Sequence, residues 1–157
     1  MLADEFKLHM SKNVFKRYDD GGYCQMLTAR SYTMDFDVMA IEMVASYGMP
    51  VGKETFETVY WIGRFAEKAI SFGISVERYY KKTDINPAIC FNSNVKDAMI
   101  RRALLDMFPK NGGGKEPSIG TKKQPGALYG INSHMFPALA VALTHALKNG
   151  LIEYKTY

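Results

Sequence analysis

The sequence predicts a single α+β domain with four helices, of which two are long, and a small sheet. Two observations predict this mixture. Stretches with apolar residues at three- and four-residue spacing alternate with short extended segments, and glycine or proline ends most of the elements. The chain has 157 residues, of which 47% are apolar. This is enough for one buried core and excludes disorder for most of the chain, so we expect one domain over residues 1–157.

The N-terminal part is predicted to form a hairpin followed by a first helix. Two extended segments, 14–18 and 25–32, flank a four-residue Asp/Gly turn. Thr33 or Asp35 is then expected to cap a helix that ends at Gly48. Its apolar residues fall at helical spacing and are Phe36, Met39, Ala40, Met43, Val44 and Tyr47.

A second, longer helix is predicted over about 53–72, stopped by Gly73. Its apolar residues form two neighbouring stripes and an aromatic pair beside them: Phe56, Val59, Gly63, Ala66 and Ile70; Ile62, Phe65, Ala69 and Phe72; Tyr60 and Trp61. A helix that is apolar on so much of its circumference must be buried on two sides. Either it lies at the centre of the domain, or its second face meets another subunit.

The central part of the chain is predicted to contain two strands and a third helix. Segments 74–80 and 88–91 are strand candidates, joined by a connection over 81–87. Asn94 is expected to cap a helix over about 95–108, because it directly precedes a run with helical apolar spacing.

The stretch 109–130 differs in composition from the rest of the chain. It contains six glycines and three prolines, and four lysines face one glutamate between residues 110 and 123. We expect an exposed or partly disordered loop that contributes nothing to a core. Loops of this length are often functional, and this one is basic. The run Gly112-Gly113-Gly114-Lys115 does not match a phosphate loop, because Pro109 stands at the first glycine position and Glu116 follows the lysine.

A last helix is predicted after Ser133, its expected cap, with Pro137 in the first turn and Gly150 at the end. The final segment, 151–157, is expected to be a strand. The candidate core residues of this helix are Leu139, Val141, Leu143, Ala146 and Leu147.

No residue pattern indicates catalysis, a cofactor, a metal or a small-molecule substrate. Cys24 and Cys90 form no CxxC pair and are expected to be reduced thiols. His134 and His145 are three helical turns apart, which is too far for two ligands of one metal. The longest apolar run is far shorter than the roughly 20 residues that a bilayer needs, and the N-terminus carries charges where a signal peptide is apolar. We therefore expect a soluble, cytoplasmic protein that is not an enzyme.

The predicted order of elements from residue 22 to about 80 resembles that of a known family. A YxxxLTAR-like run leads to a capped helix and a Gly/Pro turn, and a longer helix then ends in glycine before a strand. This stretch resembles the HU/IHF family of DNA-bending proteins, in the variant with an extra N-terminal strand that occurs in Bacteroidetes and their phages. The resemblance implies an HU-like helix–turn–helix–strand core over about 14–92 and an intertwined homodimer. The predicted elements after this core form a helical extension over 94–157, which includes the loop 109–130.

The resemblance also implies a DNA-contacting arm. Family members carry a basic two-stranded arm whose Asn-Pro tip wedges into the minor groove and kinks the duplex. In this chain Asn86-Pro87 lies between the two central strand candidates, just after Arg78, Lys81 and Lys82. The chain departs from the family in three ways: Glu77-Arg78-Tyr79-Tyr80 replaces the family's Gly-Phe-Gly turn, the arm is shorter, and nothing after Val95 has a counterpart.

The hypothesis from sequence is an architectural protein that binds double-stranded DNA through phosphate contacts and shape. The predicted contact residues are Arg78, Lys81, Lys82, Asn86, Pro87, Lys115, Lys122 and Lys123. The alternative is a structural or interaction protein, for example a phage particle or assembly component, that uses an HU-like core for protein contacts. The expected location is a bacterial cytoplasm, or a virion if a phage encodes the chain. The net charge of +4 is compatible with a nucleic-acid partner but argues against strong non-specific binding.

Overall fold

The computed structural model describes residues 37–46, 48, 50–133 and 135–157. The α+β class is confirmed, because these residues form four α-helices and a two-stranded parallel sheet. In chain order the elements are β1 (Val38–Met43), α1 (Lys53–Ser71), β2 (Ser75–Tyr80), a π-helical turn (Lys81–Ile85), α2 (Asn86–Cys90), α3 (Asp97–Asp106) and α4 (Phe136–Lys148). The predicted N-terminal hairpin, Thr33 and Asp35 lie outside the described residues.

The sheet pairs β1 with β2 in parallel, in a register that runs from Val38 opposite Ser75 to Met43 opposite Tyr80. Parallel neighbours require a crossover connection, and α1 supplies it. The prediction of a helix over this segment is wrong, because Val38–Met43 is a strand. Short apolar runs satisfy both the helical and the strand period, and here the ladder to β2 determines the outcome.

The long helix α1 is confirmed, and so is the position of its end. Gly73 has a φ of 76°, in the left-handed region, and the Ile74 amide donates to Ala69 O at 3.0 Å. The end of α4 has the same closure: Gly150 has a φ of 66°, and the Leu151 amide donates to Ala146 O at 2.9 Å. Both helices therefore stop where a glycine can adopt the conformation that reverses the chain.

The core joins α2, α3 and α4 around Ile89, Leu104 and Leu139, which are almost completely buried. The core predictions for α4 are confirmed for four of the five residues, Leu139, Val141, Leu143 and Ala146, while Leu147 packs at the edge. The predicted caps are wrong. The helix α3 begins after Lys96 rather than Asn94, and α4 begins after Met135 rather than Ser133.

The C-terminal segment is not the predicted strand. Its residues 151–157 have no strand pairing, and two hydrogen bonds beyond the closure of α4 attach them to the helical core. The Tyr154 hydroxyl donates to Ile89 O at 3.1 Å, and the Tyr157 amide donates to Asp106 O at 2.8 Å. The tail therefore follows the surface of α2 and α3 instead of extending the sheet.

The prediction of a second central strand over 88–91 is also wrong, because the chain forms a helix after β2. The Asp84 carboxylate accepts hydrogen bonds from the Tyr80 amide at 2.8 Å and from the Thr83 hydroxyl at 3.0 Å, which ends the strand and fixes the turn. Pro87 then lies in the first turn of α2, where its missing N–H costs nothing. The described residues contain no two-stranded arm, and the helix–turn–helix–strand order is not confirmed.

Candidate functional site

The predicted contact residues of the central region do not form one surface. Arg78 on β2 and Lys82 in the π-helical turn are exposed. The Lys81 ammonium lies 2.5 Å from a carboxylate oxygen of Asp97. Asn86, predicted to lie at the tip of an arm, is only 2% exposed.

The burial of Asn86 has a structural explanation. Its side-chain amide donates to Ser93 O at 2.7 Å, so it closes the bend that follows α2. Pro87 is half-buried in the same helix. An Asn-Pro pair held inside the fold cannot serve as an exposed tip, and this part of the prediction is corrected.

The basic stretch, here called the lysine loop (residues 110–130), is ordered and makes its own network of backbone hydrogen bonds. The expectation of an exposed loop without core residues is wrong. Five backbone amides donate to carbonyl oxygens within the loop. The pairs are Gly112 N to Pro117 O (2.8 Å), Gly113 N to Gln124 O (2.9 Å), Thr121 N to Gln124 O (2.9 Å), Gly126 N to Ile119 O (2.9 Å) and Leu128 N to Ser118 O (2.7 Å). Leu128 is 3% exposed, and Ile119 packs against the core.

Three glycines allow the backbone of the lysine loop to cross itself at close range. A Cβ atom at Gly112 would lie 2.5 Å from Pro117 O, and one at Gly126 would lie 2.3 Å from the same oxygen. A Cβ at Gly120 would lie 2.2 Å from the Gly126 nitrogen. No side chain fits at these positions, so the glycines permit the contacts that order the loop.

Two anchors attach the lysine loop to the helices. The buried Ser118 hydroxyl lies 2.7 Å from Leu105 O and 3.3 Å from Phe108 O, at the end of α3 where carbonyls lack helical partners. The Arg101 guanidinium donates to both carboxylate oxygens of Glu116, at 2.7 and 2.6 Å. These hydrogen bonds hold the pKa of Glu116 below its ordinary value. The single acidic residue of the loop is therefore engaged by a cation from outside it.

The anchored loop presents a small hairpin with two lysines at its tip. Gly120 and Pro125 form an antiparallel bridge, and Thr121 and Gln124 close the turn with a backbone bond at 2.9 Å and a Gln124 N to Thr121 Oγ1 bond at 3.2 Å. Lys122 and Lys123, the two residues inside this turn, are exposed.

Lys115 lies next to this tip. It follows Gly114, and a Cβ at Gly114 would be 3.1 Å from Thr121 Cγ2. Among the described residues, Lys115, Lys122 and Lys123 have no acidic partner within ion-pair distance, whereas Lys110 lies 2.9 Å from Asp106. The loop thus brings together three of the eight predicted contact residues.

Sequence reasoning missed the two anchors, Ser118 and the Arg101–Glu116 pair. A signal for a turn is present in the sequence, because Gly120 and Pro125 flank the four residues that form it. The anchors themselves join residues from different elements, so no local pattern indicates them.

A second polar feature is a cleft of about 250 Å³ between β1, the π-helical turn, α3 and α4. Glu42, Lys81, Asp97 and Arg101 line it, together with apolar residues such as Phe136. Burial raises the pKa of Glu42, and Lys81 opposes this shift. Both cations are already paired with carboxylates, Lys81 with Asp97 and Arg101 with Glu116, so the cleft offers no free positive charge to an anion.

The histidine and cysteine that the structure describes take part in packing. The Tyr79 hydroxyl lies 2.8 Å from His145 Nδ1, and Asp84 forms an ion pair with Lys148. These two contacts connect β2 and the π-helical turn to the end of α4. Burial raises the pKa of the Cys90 thiol. Within the described ranges, no three His, Cys, Asp or Glu side chains are placed to hold a metal ion. Cys24 and His134 lie outside those ranges.

Comparison of the chain with protein-family models, curated proteins and solved structures finds no match in any of the three. Among the described helices, none has both the length and the apolar character needed to cross a membrane. The geometry of the lysine loop is therefore the observation from which a function can be argued.

Proposed function

We propose that this protein binds double-stranded DNA through phosphate contacts from the lysine loop. The observation that carries the proposal is the tip of the loop, where Lys115, Lys122 and Lys123 are exposed and have no acidic partner among the residues that the structure describes. Lysines that neutralise phosphates release the counterions condensed on the duplex, and this release drives binding.

The rigidity of the loop supports the same function. Its glycine crossings and the Ser118 anchor fix the backbone before any partner arrives. A preorganised loop loses less conformational freedom on binding than a flexible one, so more of the contact energy is left for affinity. Contacts of this kind position a protein on the duplex without reading its base sequence.

The proposal contains no intercalating wedge. Asn86 is buried and Pro87 belongs to α2, so neither is available to enter a base step. DNA held by the lysine loop is bound through its backbone, and the exposed Arg78 and Lys82 are secondary candidates for further phosphate contacts.

The first experiment is fluorescence anisotropy of a labelled duplex of about 30 base pairs, titrated with protein at 50 and 200 mM salt. Three phosphate contacts predict a slope of about −2.7 for log K against log salt, so affinity should fall about 40-fold between the two conditions. The triple variant Lys115→Gln, Lys122→Gln and Lys123→Gln should lose most of this binding and most of the slope.

The matched control removes the same charge elsewhere. Lys53, Lys68 and Lys96 lie outside the lysine loop, and their triple Gln variant changes the net charge by the same amount. It should keep most of the wild-type affinity and slope. Equal losses in both triple variants would refute a specific role for the loop, and no binding at 50 mM salt would refute the proposed function.

A second candidate function, assembly through protein contacts, is favoured by a different surface. Phe56, Tyr60 and Ile70 on α1 are each more than 60% exposed, which is unusual for large apolar side chains that lie on one helix face. An assembly role predicts that the chain self-associates or binds a protein partner in the absence of DNA.

A further inference from the structure

One carboxylate lies on the core-facing side of the sheet. Glu42 stands on β1 two residues after Ala40, so the two side chains point to the same face, and Ala40 packs against the core. Opposite Glu42 in the ladder is Tyr79, which is 5% exposed. The alternation of the strand therefore predicts an apolar residue at position 42, and the chain has a charged one.

The Glu42 carboxylate has no partner for its charge. Among the residues that the structure describes, it makes no hydrogen bond and no ion pair. The two cations of the cleft are engaged elsewhere, since the Lys81 ammonium lies 2.5 Å from Asp97 and the Arg101 guanidinium donates to Glu116. Burial raises the pKa of Glu42 more than the nearby Lys81 lowers it. A half-buried charge of this kind is costly unless a cation binds it.

The cleft beside Glu42 has the size and the lining of a small-molecule site. Its volume of about 250 Å³ exceeds the roughly 150 Å³ that holds a benzene ring. Apolar side chains from three elements line it: Ile85 from the π-helical turn, Ile100 from α3, and Phe136 and Ala140 from α4. Each of these is less than a tenth exposed, so the core holds the lining in place. Binding sites for small ligands combine a mostly apolar lining with few polar groups.

The chemistry of the cleft favours an organic cation as its ligand. An anion would meet no unpaired cation there, because Lys81 and Arg101 are already engaged. A divalent metal ion needs several ligands, and within the described ranges no three His, Cys, Asp or Glu side chains are placed to supply them. A protonated amine needs one carboxylate for its charge, and its carbon body can contact the apolar lining.

We propose that the cleft binds a small protonated amine with an apolar body, whose ammonium group forms an ion pair with the Glu42 carboxylate. The apolar body lies against Ile100 and Phe136 and displaces water from them. The ammonium group supplies the positive charge that the chain itself does not commit to this carboxylate. The site includes none of the three lysines at the tip of the lysine loop, and its test does not depend on DNA binding.

The probe is 2-phenylethylamine, titrated into the full nitrogen-15-labelled chain at pH 7. Amide chemical shifts should move saturably for residues that line the cleft, and with about nine heavy atoms the ligand should bind in the millimolar range. The neutral analogue 2-phenylethanol has the same shape without the charge. It should bind at least about tenfold more weakly, because it cannot form the hydrogen-bonded charge pair.

Glu42→Gln keeps the shape of the side chain and removes its charge. This variant should bind 2-phenylethylamine at least about tenfold more weakly than the wild type does, and should bind 2-phenylethanol equally well. Glu77→Gln is the matched control, because Glu77 is exposed on the neighbouring strand β2 and the substitution changes the net charge by the same amount. It should bind the amine as the wild type does. Ala98→Trp introduces a large ring at an exposed position of the cleft lining and should weaken the binding of both ligands.

Three outcomes would overturn the proposal. The absence of saturable shift changes up to about 20 mM amine would show that the cleft does not bind this class of ligand. Equal affinity of the wild type and Glu42→Gln for the amine would show that the carboxylate does not recognise it. Shift changes that centre on the exposed aromatic residues of α1 and persist in Ala98→Trp would place the amine on another surface.

Discussion

Replacing Gly126 with alanine should destabilise the lysine loop and weaken DNA binding together. The amide of Gly126 donates to Ile119 O at 2.9 Å, inside the crossing that holds the Lys122-Lys123 tip in place. A Cβ atom at this position would lie 2.3 Å from Pro117 O and 2.5 Å from Ser118 O. These neighbours are backbone atoms, so no side-chain rotation can relieve the overlap.

The expected loss of stability in Gly126→Ala has two contributions. Overpacking that displaces backbone costs about 1 to 3 kcal/mol. The displacement would also weaken the Gly126 N to Ile119 O bond and the adjacent Leu128 N to Ser118 O bond at 2.7 Å, each worth about 0.5 to 1.5 kcal/mol net. The free energy of unfolding should therefore fall by about 2 to 6 kcal/mol, a large share of the stability of a domain of this size.

The assay is urea denaturation followed by circular dichroism, with the DNA titration repeated on the folded variant. Gly52→Ala is the control, because a Cβ at Gly52 meets nothing within 4 Å and the residue has a φ of −82°. At this helix N-cap the control should lose less than about 1 kcal/mol and bind DNA as the wild type does. Equal urea midpoints for Gly126→Ala and the wild type would refute the steric argument. A destabilised variant with wild-type affinity, measured where it is folded, would refute the link between the crossing and the lysines.

Two further predictions concern the anchors of the lysine loop. Ser118→Ala removes the buried hydroxyl that contacts Leu105 O and Phe108 O, so the free energy of unfolding should fall by about 1 to 3 kcal/mol in urea denaturation; an unchanged value would show that water or a backbone shift replaces the bond. Glu116→Gln breaks the pair with Arg101, and because the two side chains are 38% and 42% exposed the loss at pH 7 should be below about 1 kcal/mol. The hydrogen bonds from Arg101 lower the pKa of Glu116, so the stabilisation is complete above the ordinary glutamate pKa of about 4.3 and disappears as the pH falls through the lowered value. Urea denaturation at pH 7 and near pH 2 should show the difference between wild type and variant shrinking in acid, and a difference that persists there would contradict the assignment.

The elements that could be predicted from sequence are those whose ends depend on local chemistry. The helices α1 and α4 each end two residues before a glycine, Gly73 and Gly150, whose positive φ angles belong to the closing motif itself. A glycine after a run with helical spacing indicates this motif without any knowledge of the rest of the fold. The apolar face of α4 was equally readable, because its periodicity and its burial coincide.

The elements that could not be predicted depend on partners that are distant in the chain. Segment 38–43 carries apolar residues at a spacing that suits a helix, but its backbone pairs with residues 75–80 across the whole of α1. The sequence predicts a strand over 88–91, because the Asn-Pro pair before it is typical of turns. In the structure the Asp84 side chain ends β2 first, and Pro87 then serves as a first-turn residue of α2.

The lysine loop shows why composition alone gave the wrong expectation for its order. Six glycines in 21 residues suggest a chain with too many conformations to fold, and a glycine that served only flexibility would tolerate a methyl group. At Gly112, Gly120 and Gly126 a methyl group would overlap backbone atoms at 2.2 to 2.5 Å, so these residues are required by contact. The same glycines that predict disorder therefore produce order, because only a backbone without side chains can cross itself this closely. It follows that the fold sets the backbone positions from which Lys115, Lys122 and Lys123 extend.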